Sequence, residues 1–582
     1  MTHPFTNDRF EHAYLVTSLP FRARTDTQAG SRQASEPSNC ASAGGTAWYH
    51  YRPSTDVALF ADTFGTGGTT ALGVFRGTSL HDLQLVSCDT NVLGNSQIGF
   101  RAAKGATYYF QVTSPLGGGP TVFELAAVGA TTVETVSPTG GSADQGTTPP
   151  VNRPEISTDG RWITFASAAS NLAHTRPDCG DPTGCHTIYL RDRMTGTTKI
   201  VATTAKQGGG GLAWQTMSAN GRYVGFGFKP GTLPGGFQGA DDAPPDQISV
   251  YLYDRITGGF ELVSRNSAGE PARGTPGQSA GVIGGKGVPF TSEGSQAVVL
   301  SADGRYVAFT SNGTNLGGRT EQAYAYNVYW RDRVTGVTRL VSVDSVGEPM
   351  VKANSYSCAG RNISGDGRYV FFCSTFGTGS SPGDNNALRM LLYLWDAKTG
   401  RTRLVTPLPQ GGDTKGSFCP SLSLDGRRAA FTSNDALVAD DTNGGPDVYS
   451  YDIATRRLQR VSVTSAGEQT TDLNYPATES SPVDSRAVTL SADGRYIAFD
   501  SAAPDLVPTS AGGTRQTTEG STPGPVAVYV HDMITGATVL ASQSATGEPL
   551  AGYSVVPYIS ADGRWVAFFN SSRQTTSDLP LD

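Results

Sequence analysis

The chain has 582 residues and a formal net charge of −7; it is too long for one hydrophobic core, so at least two domains are expected. The acidic balance and the lack of any basic run argue against a nucleic-acid surface, and no apolar stretch is long enough to span a membrane. With 72 Gly, 34 Pro and 16% charged residues, and no sustained 3.6-residue apolar period, the composition excludes a helical protein and predicts an all-β one.

In chain order, Met1–Arg9 is polar and lacks the apolar region of a signal peptide. Strand-like segments follow at Ala47–Tyr51, Leu72–Gly77, Leu85–Asp89 and Lys104–Val112, after the short tract Asn7-Asp8-Arg9-Phe10. In this order they resemble the bacterial pre-peptidase C-terminal domain, a jelly-roll-like β-sandwich that accompanies secreted hydrolases and surface proteins. The resemblance spans nearly all of residues 1–130 and implies a Cys40–Cys88 staple.

From residue 131 to 582 the chain repeats itself, and such self-similarity is the primary signal for a repeat architecture. Ser301-Ala302-Asp303-Gly304-Arg305-Tyr306-Val307-Ala308-Phe309 recurs at Ser491–Phe499 and Ser560–Phe568, with looser copies at Asp159, Asn220, Asp366 and Asp425. A second element, Val328–Gly336, follows the first six copies, and a third of the type Leu340-Val341-Ser342 comes after it. Asp-Gly closes a tight hairpin because Gly accepts positive φ and Asp caps the turn. The flanking strands are apolar on both faces, as in stacked sheets. Each unit therefore predicts a four-stranded meander, strands A to D, which buries both faces only by packing against further copies. These units resemble the TolB-type propeller repeat of exported bacterial proteins. The seven copies predict a seven-bladed β-propeller (six blades being the alternative), preceded by the sandwich. Residues 132–137 read as a lone D strand that completes the final blade beside the C-terminal strands.

The repeated Asp159, Asp303, Asp366, Asp425, Asp493 and Asp562 read as turn formers, and Asp192, Asp254, Asp332, Asp396, Asp452 and Asp532 as strand-end hydrogen-bond acceptors. A residue repeated in every copy is a poor candidate for one active site. Among the cysteines, Cys179 and Cys185 bracket a tight loop, and Cys358 and Cys373 flank the turn at Gly365–Gly367, which leaves Cys419 unpaired; a Cys358–Cys419 bond is equally compatible. One loop has metal-ligand chemistry. Asp440, Asp441, Asn443 and Asp447 place hard oxygen donors around a glycine turn and form a candidate calcium site, without the closing glutamate of an EF-hand. A self-capped Asx turn is the competing reading. His174 and His186 lie close in sequence, and Trp214, Tyr324, Tyr326 and Tyr475 are candidate sugar-stacking aromatics. His-Glu-x-x-His is absent, and Gly281–Lys286 lacks the spacing of a phosphate-binding loop.

In a meander ring the A–B and C–D turns share one face, and these are the uniform turns. The other face collects dissimilar loops, at 229–247, 266–295, 376–388, 410–417, 465–485 and 508–525, and variable loops on a rigid scaffold are where binding is expected. The sequence thus predicts a secreted or envelope-associated, non-enzymatic binding or scaffolding protein engaging a protein or glycan through that face. The alternatives are a polysaccharide hydrolase or lyase with its site at the propeller axis, and a structural subunit of an extracellular assembly. A cytosolic chain with reduced thiols is the competing location.

Overall fold

The computed structural model describes residues 7–19, 21–27, 31–38, 40, 44–55, 57–63, 66, 70–89, 96–114, 121–127, 134–138, 143, 154–175, 185–205, 213–228, 247–274, 295–317, 326–350, 355–356, 361–375, 390–407, 416–470, 487–503, 505–507, 526–543 and 549–570. Among them no α-helix occurs, and helical structure is confined to a 3-10 turn at Phe10–His12. The chain divides into two compact units, Met1–Thr131 with Gln543–Glu548, and Thr132–Ser542 with Pro549–Asp582.

The first unit has two sheets. One contains Tyr14–Leu15, Thr46–Tyr51, Tyr108–Thr113, Ala71–Arg76 and Gln84–Asp89 in spatial order; the other contains Phe21–Thr25, Thr121–Ala127, Val57–Asp62 and Gln97–Ala102. A single apolar cluster draws on both, with Tyr49, Val74, Phe110 and Val112 from the first and Leu59, Ala61, Phe123 and Leu125 from the second. The Tyr49 and Phe123 rings stack across the sheets at 4.3 Å. Cys40 is bonded to Cys88 on the edge strand, with Cα atoms 5.5 Å apart.

The second unit is propeller-like. Among the described residues it contains six four-stranded antiparallel meanders and, after them, the two-stranded pair Ser554–Ile559 and Val566–Asn570. The third meander shows the pattern: A is Ser295–Leu300, B Tyr306–Ser311, C Asn327–Asp332 and D Thr338–Leu340. Val307, Ala308 and Phe309 of its B strand are all 0% exposed, as expected of a strand covered on both faces. Consecutive sheets pack on one another, and the last packs on the first through the A strand Glu155–Ile156.

The Asp-Gly-Arg turn explains how the sheets engage. Each turn glycine has positive φ, 73° at Gly304, and all but Gly494, which meets Arg428, lie against the aromatic ring that follows Arg in the preceding sheet. A Cβ on Gly304 would meet Tyr223 at 2.4 Å, and one on Gly367 would meet Tyr306 at 2.1 Å. The same contact joins the ends of the unit, since a Cβ on Gly160 would lie 2.3 Å from Trp565. Glycine is required here twice over, for backbone conformation and for room.

Glu134 sits at the N-terminal end of this unit and pairs with both Arg191 and Arg193 of the first sheet, each at 2.9 Å. Glu261, in the D strand Phe260–Leu262 of the second sheet, pairs in the same way with Arg333 of the third. Glu134 thus makes toward the first sheet the kind of ion pair that Glu261 makes toward the third.

Candidate functional site

The repeat residues are committed to architecture. In the third sheet Asp303 accepts from Ser301 Oγ at 2.8 Å and from the Arg305 amide at 2.9 Å, which fixes the turn. Arg305 then forks onto Asp332 at 2.9 and 2.8 Å while its guanidinium lies 4.8 Å over the Tyr306 ring. This fork holds the Asp332 carboxyl down at about 2. The same Arg–Asp fork joins Arg161 to Asp192, Arg222 to Asp254, Arg368 to Asp396 and Arg495 to Asp532. In the fifth copy the aromatic is replaced by Arg428, and Arg427 swings out to 85% side-chain exposure. The ring face therefore holds the arginine in place through cation–π attraction.

Residues two positions before each turn serine differ from copy to copy. They bring together a polar cluster that the repeat pattern obscured. Glu155 accepts from the Met217 amide at 2.5 Å and from Thr216 Oγ1 at 3.1 Å. Arg361, next to this column in the fourth copy, donates to the Leu490 carbonyl at 2.8 Å, and its guanidinium lies 5.1 Å from the Tyr558 ring centroid. Burial pushes the Tyr558 phenol up, with Arg361 and Glu155 both beside it. Glu155 is 3% exposed and Arg361 6%, so acid and cation are spent on cross-links between sheets. The sequence signal for this cluster was variation at a buried column, which a search for uniform motifs passes over.

The 440–447 loop is described in full. Asp440 is mostly exposed and pairs with Arg460 at 3.1 Å. Asp441 is buried; it accepts from Gln469 Nε2 at 3.2 Å and from the Tyr449 hydroxyl, with Arg460 at 3.9 Å. Asn443 accepts from the Gly445 amide at 3.1 Å, the Asx turn expected of this tract. Asp447, 0% exposed, accepts from Ser462 Oγ, and burial pushes its carboxyl up to about 6. No group of three or more His, Cys, Asp or Glu among the described residues is arranged to hold a metal; this loop contributes two buried carboxylates beside amide and hydroxyl oxygens.

Cys185 and Cys373 are each disulfide-bonded; Cys179 and Cys358 lie outside the described residues, as does the Cys419 side chain. His174 is exposed at the end of its loop, whereas Tyr326 is buried and so unavailable to a sugar. Tyr324, Tyr475 and the Trp214 side chain lie outside the described residues, as do most of the variable loops: 229–246, 275–294, 376–389, 408–415, 471–486 and 508–525. A Gly-x-Ser-x-Gly run at Gly277-Gln278-Ser279-Ala280-Gly281 also falls there.

No family model matches this chain, and no curated protein does. Among solved structures it is similar to an oligogalacturonate lyase from Vibrio parahaemolyticus, at 12% identity over 72% of this chain and 88% of that one, with a TM-score of 0.37. A prolyl endopeptidase structure aligns at 11% identity over 73% of this chain and 51% of that one, TM-score 0.34. The pre-peptidase C-terminal domain of a Bacillus anthracis collagenase aligns at 13% identity over 20% of this chain and 97% of that domain, TM-score 0.15. Likeness at this level carries no activity across, and the fold described above rests on sheet order and packing.

Proposed function

We propose that this chain is a secreted or envelope-associated binding or scaffolding protein, a seven-bladed propeller closed by residues 132–137 and joined to a β-sandwich. The observation that carries the functional reading is the state of the axial residues. Glu155 and Arg361 are buried and engaged by backbone groups of other sheets, the second and the sixth, so they cross-link sheets where an axial enzyme needs an accessible acid or base. Binding then falls to the face of dissimilar loops, with a protein or glycan as partner. The Cys40–Cys88 bond fits an oxidising compartment, and no helix among the described residues is long and apolar enough to cross a membrane.

The test is affinity electrophoresis of the full chain in soluble polysaccharides, polygalacturonate included, with released reducing ends and unsaturated products measured in parallel. A protein pull-down from envelope extract runs beside it. Retention or capture without release is the expected result. Oligosaccharide release would replace this reading with an axial lyase or hydrolase, and ester or peptide hydrolysis abolished by Ser279→Ala would replace it with a serine hydrolase.

A further inference from the structure

Beneath the 440–447 loop, two buried carboxylates face one buried guanidinium. The Asp441 side chain is 1% exposed and that of Arg460 3%, while Asp440, at 74%, meets solvent and also the Arg460 guanidinium at 3.1 Å, so that one cation faces both. Arg460 stands beside Asp441. Asp447 carries the charge left over. Its Oδ1 accepts from Ser462, but its Oδ2 has no hydrogen-bond partner although the residue is fully buried. Thr470, 2% exposed, has an equally unpartnered Oγ1. Asn443 links the two, donating to the Thr470 carbonyl at 3.4 Å and facing the Asp447 carboxylate.

A comparison inside the molecule shows that the fold does not demand this charge. In the third sheet the residue opening the C strand is Asn327, which accepts from Ser342 Oγ at 3.0 Å as Asp447 accepts from Ser462. An amide fills the place there; the fifth sheet has a carboxylate with one oxygen left over. A water answers a hydrogen-bonding deficit, but a buried, uncompensated anion costs several kcal/mol until a cation neutralises it. The donors present are hard oxygens from carboxylate, amide and hydroxyl groups, the set that suits calcium.

We propose that this pocket binds a divalent cation of the calcium type, with Asp447 and Asp441 supplying charge and Asn443 and Thr470 supplying neutral oxygens. The ion ties the 440–447 loop to the C strand Asp447–Asp452 and to the segment that follows the D strand Leu458–Arg460.

The experiment compares the full chain with Asp447→Asn, which reproduces the Asn327 arrangement and so keeps the Ser462 hydrogen bond. Melting is followed in calcium chloride, in magnesium chloride and in EDTA. Calcium at a hundredfold excess over its Kd raises the melting temperature of the wild-type second unit by about 3 °C relative to EDTA, and leaves Asp447→Asn unmoved. Terbium provides a second readout, with emission excited through Tyr449, whose hydroxyl touches Asp441, and displaced by calcium. A wild-type melting temperature equal in calcium and EDTA, together with terbium emission no greater than that of Asp447→Asn, overturns the proposal and assigns the leftover charge to a proton. Should Asp447→Asn fail to fold, calcium-displaceable terbium emission from the wild type alone supports the site, and its absence overturns it.

Discussion

Glycine at the repeat turn does two jobs that can be separated by substitution. Gly304 and Gly336 both have positive φ, 73° and 74°, yet a Cβ on Gly304 meets Tyr223 while one on Gly336 meets nothing within 4 Å. Gly336→Ala is expected to cost about 1 kcal/mol from the left-handed conformation alone. Gly304→Ala is expected to cost about 3 kcal/mol, since overpacking against the ring adds to it. Chemical denaturation of the two variants measures the difference, and equal losses would show that the aromatic contact contributes nothing. The Arg305–Asp332 fork gives a pH signature. The folded Asp332 carboxyl, at about 2, lies below its unfolded value of about 3.9. The pair's stabilisation is therefore fully present above pH about 4 and is lost as pH falls through about 2. Asp332→Asn should flatten the acid limb of the stability profile in that window, and an unchanged slope would assign the limb to other carboxylates. Arg305 is 38% exposed, so the contribution is small, within the range of surface pairs.

At the scale of one element, the short segment around Glu134 has a consequence out of proportion to its length. Its carboxylate lies between two guanidiniums that are 11% and 17% exposed, and removing it leaves both uncompensated. Glu134→Ala is expected to destabilise the second unit by about 2 kcal/mol. Glu261→Ala, at a glutamate 44% exposed, is expected to cost less than about 1 kcal/mol. Calorimetry of the two variants decides; a Glu134 effect no larger than that of Glu261 would mean that the segment does not hold the ring ends together. In sequence, Val133-Glu134-Thr135-Val136-Ser137 reads like Phe260-Glu261-Leu262-Val263-Ser264. Strand periodicity and hairpin residues are local properties, and the B and C strands came directly from them. The A strands were harder to read because their residues answer to neighbours in other sheets.

For the whole molecule, the amino-acid sequence determined the all-β class, the repeat, the turn chemistry and the division between residues 1–130 and the rest, because each follows from composition or from contacts between residues close in the chain. Only the tertiary structure showed that turn glycines such as Gly304 and Gly367 seat on the preceding sheet's aromatics, that the turn arginine answers the aspartate ending strand C in five copies, and that Glu155, Arg361 and Tyr558 meet. Residues 155 and 558 lie at opposite ends of the repeat region, and no local pattern relates them. The same holds for the 440–447 loop. Its donors were visible as a spacing, but the charge they leave over depends on Arg460, Ser462 and Thr470, which reach the loop from the following strand and the turn beyond it. Short-range physics writes the repeat, and ring closure decides which side chains are left facing one another.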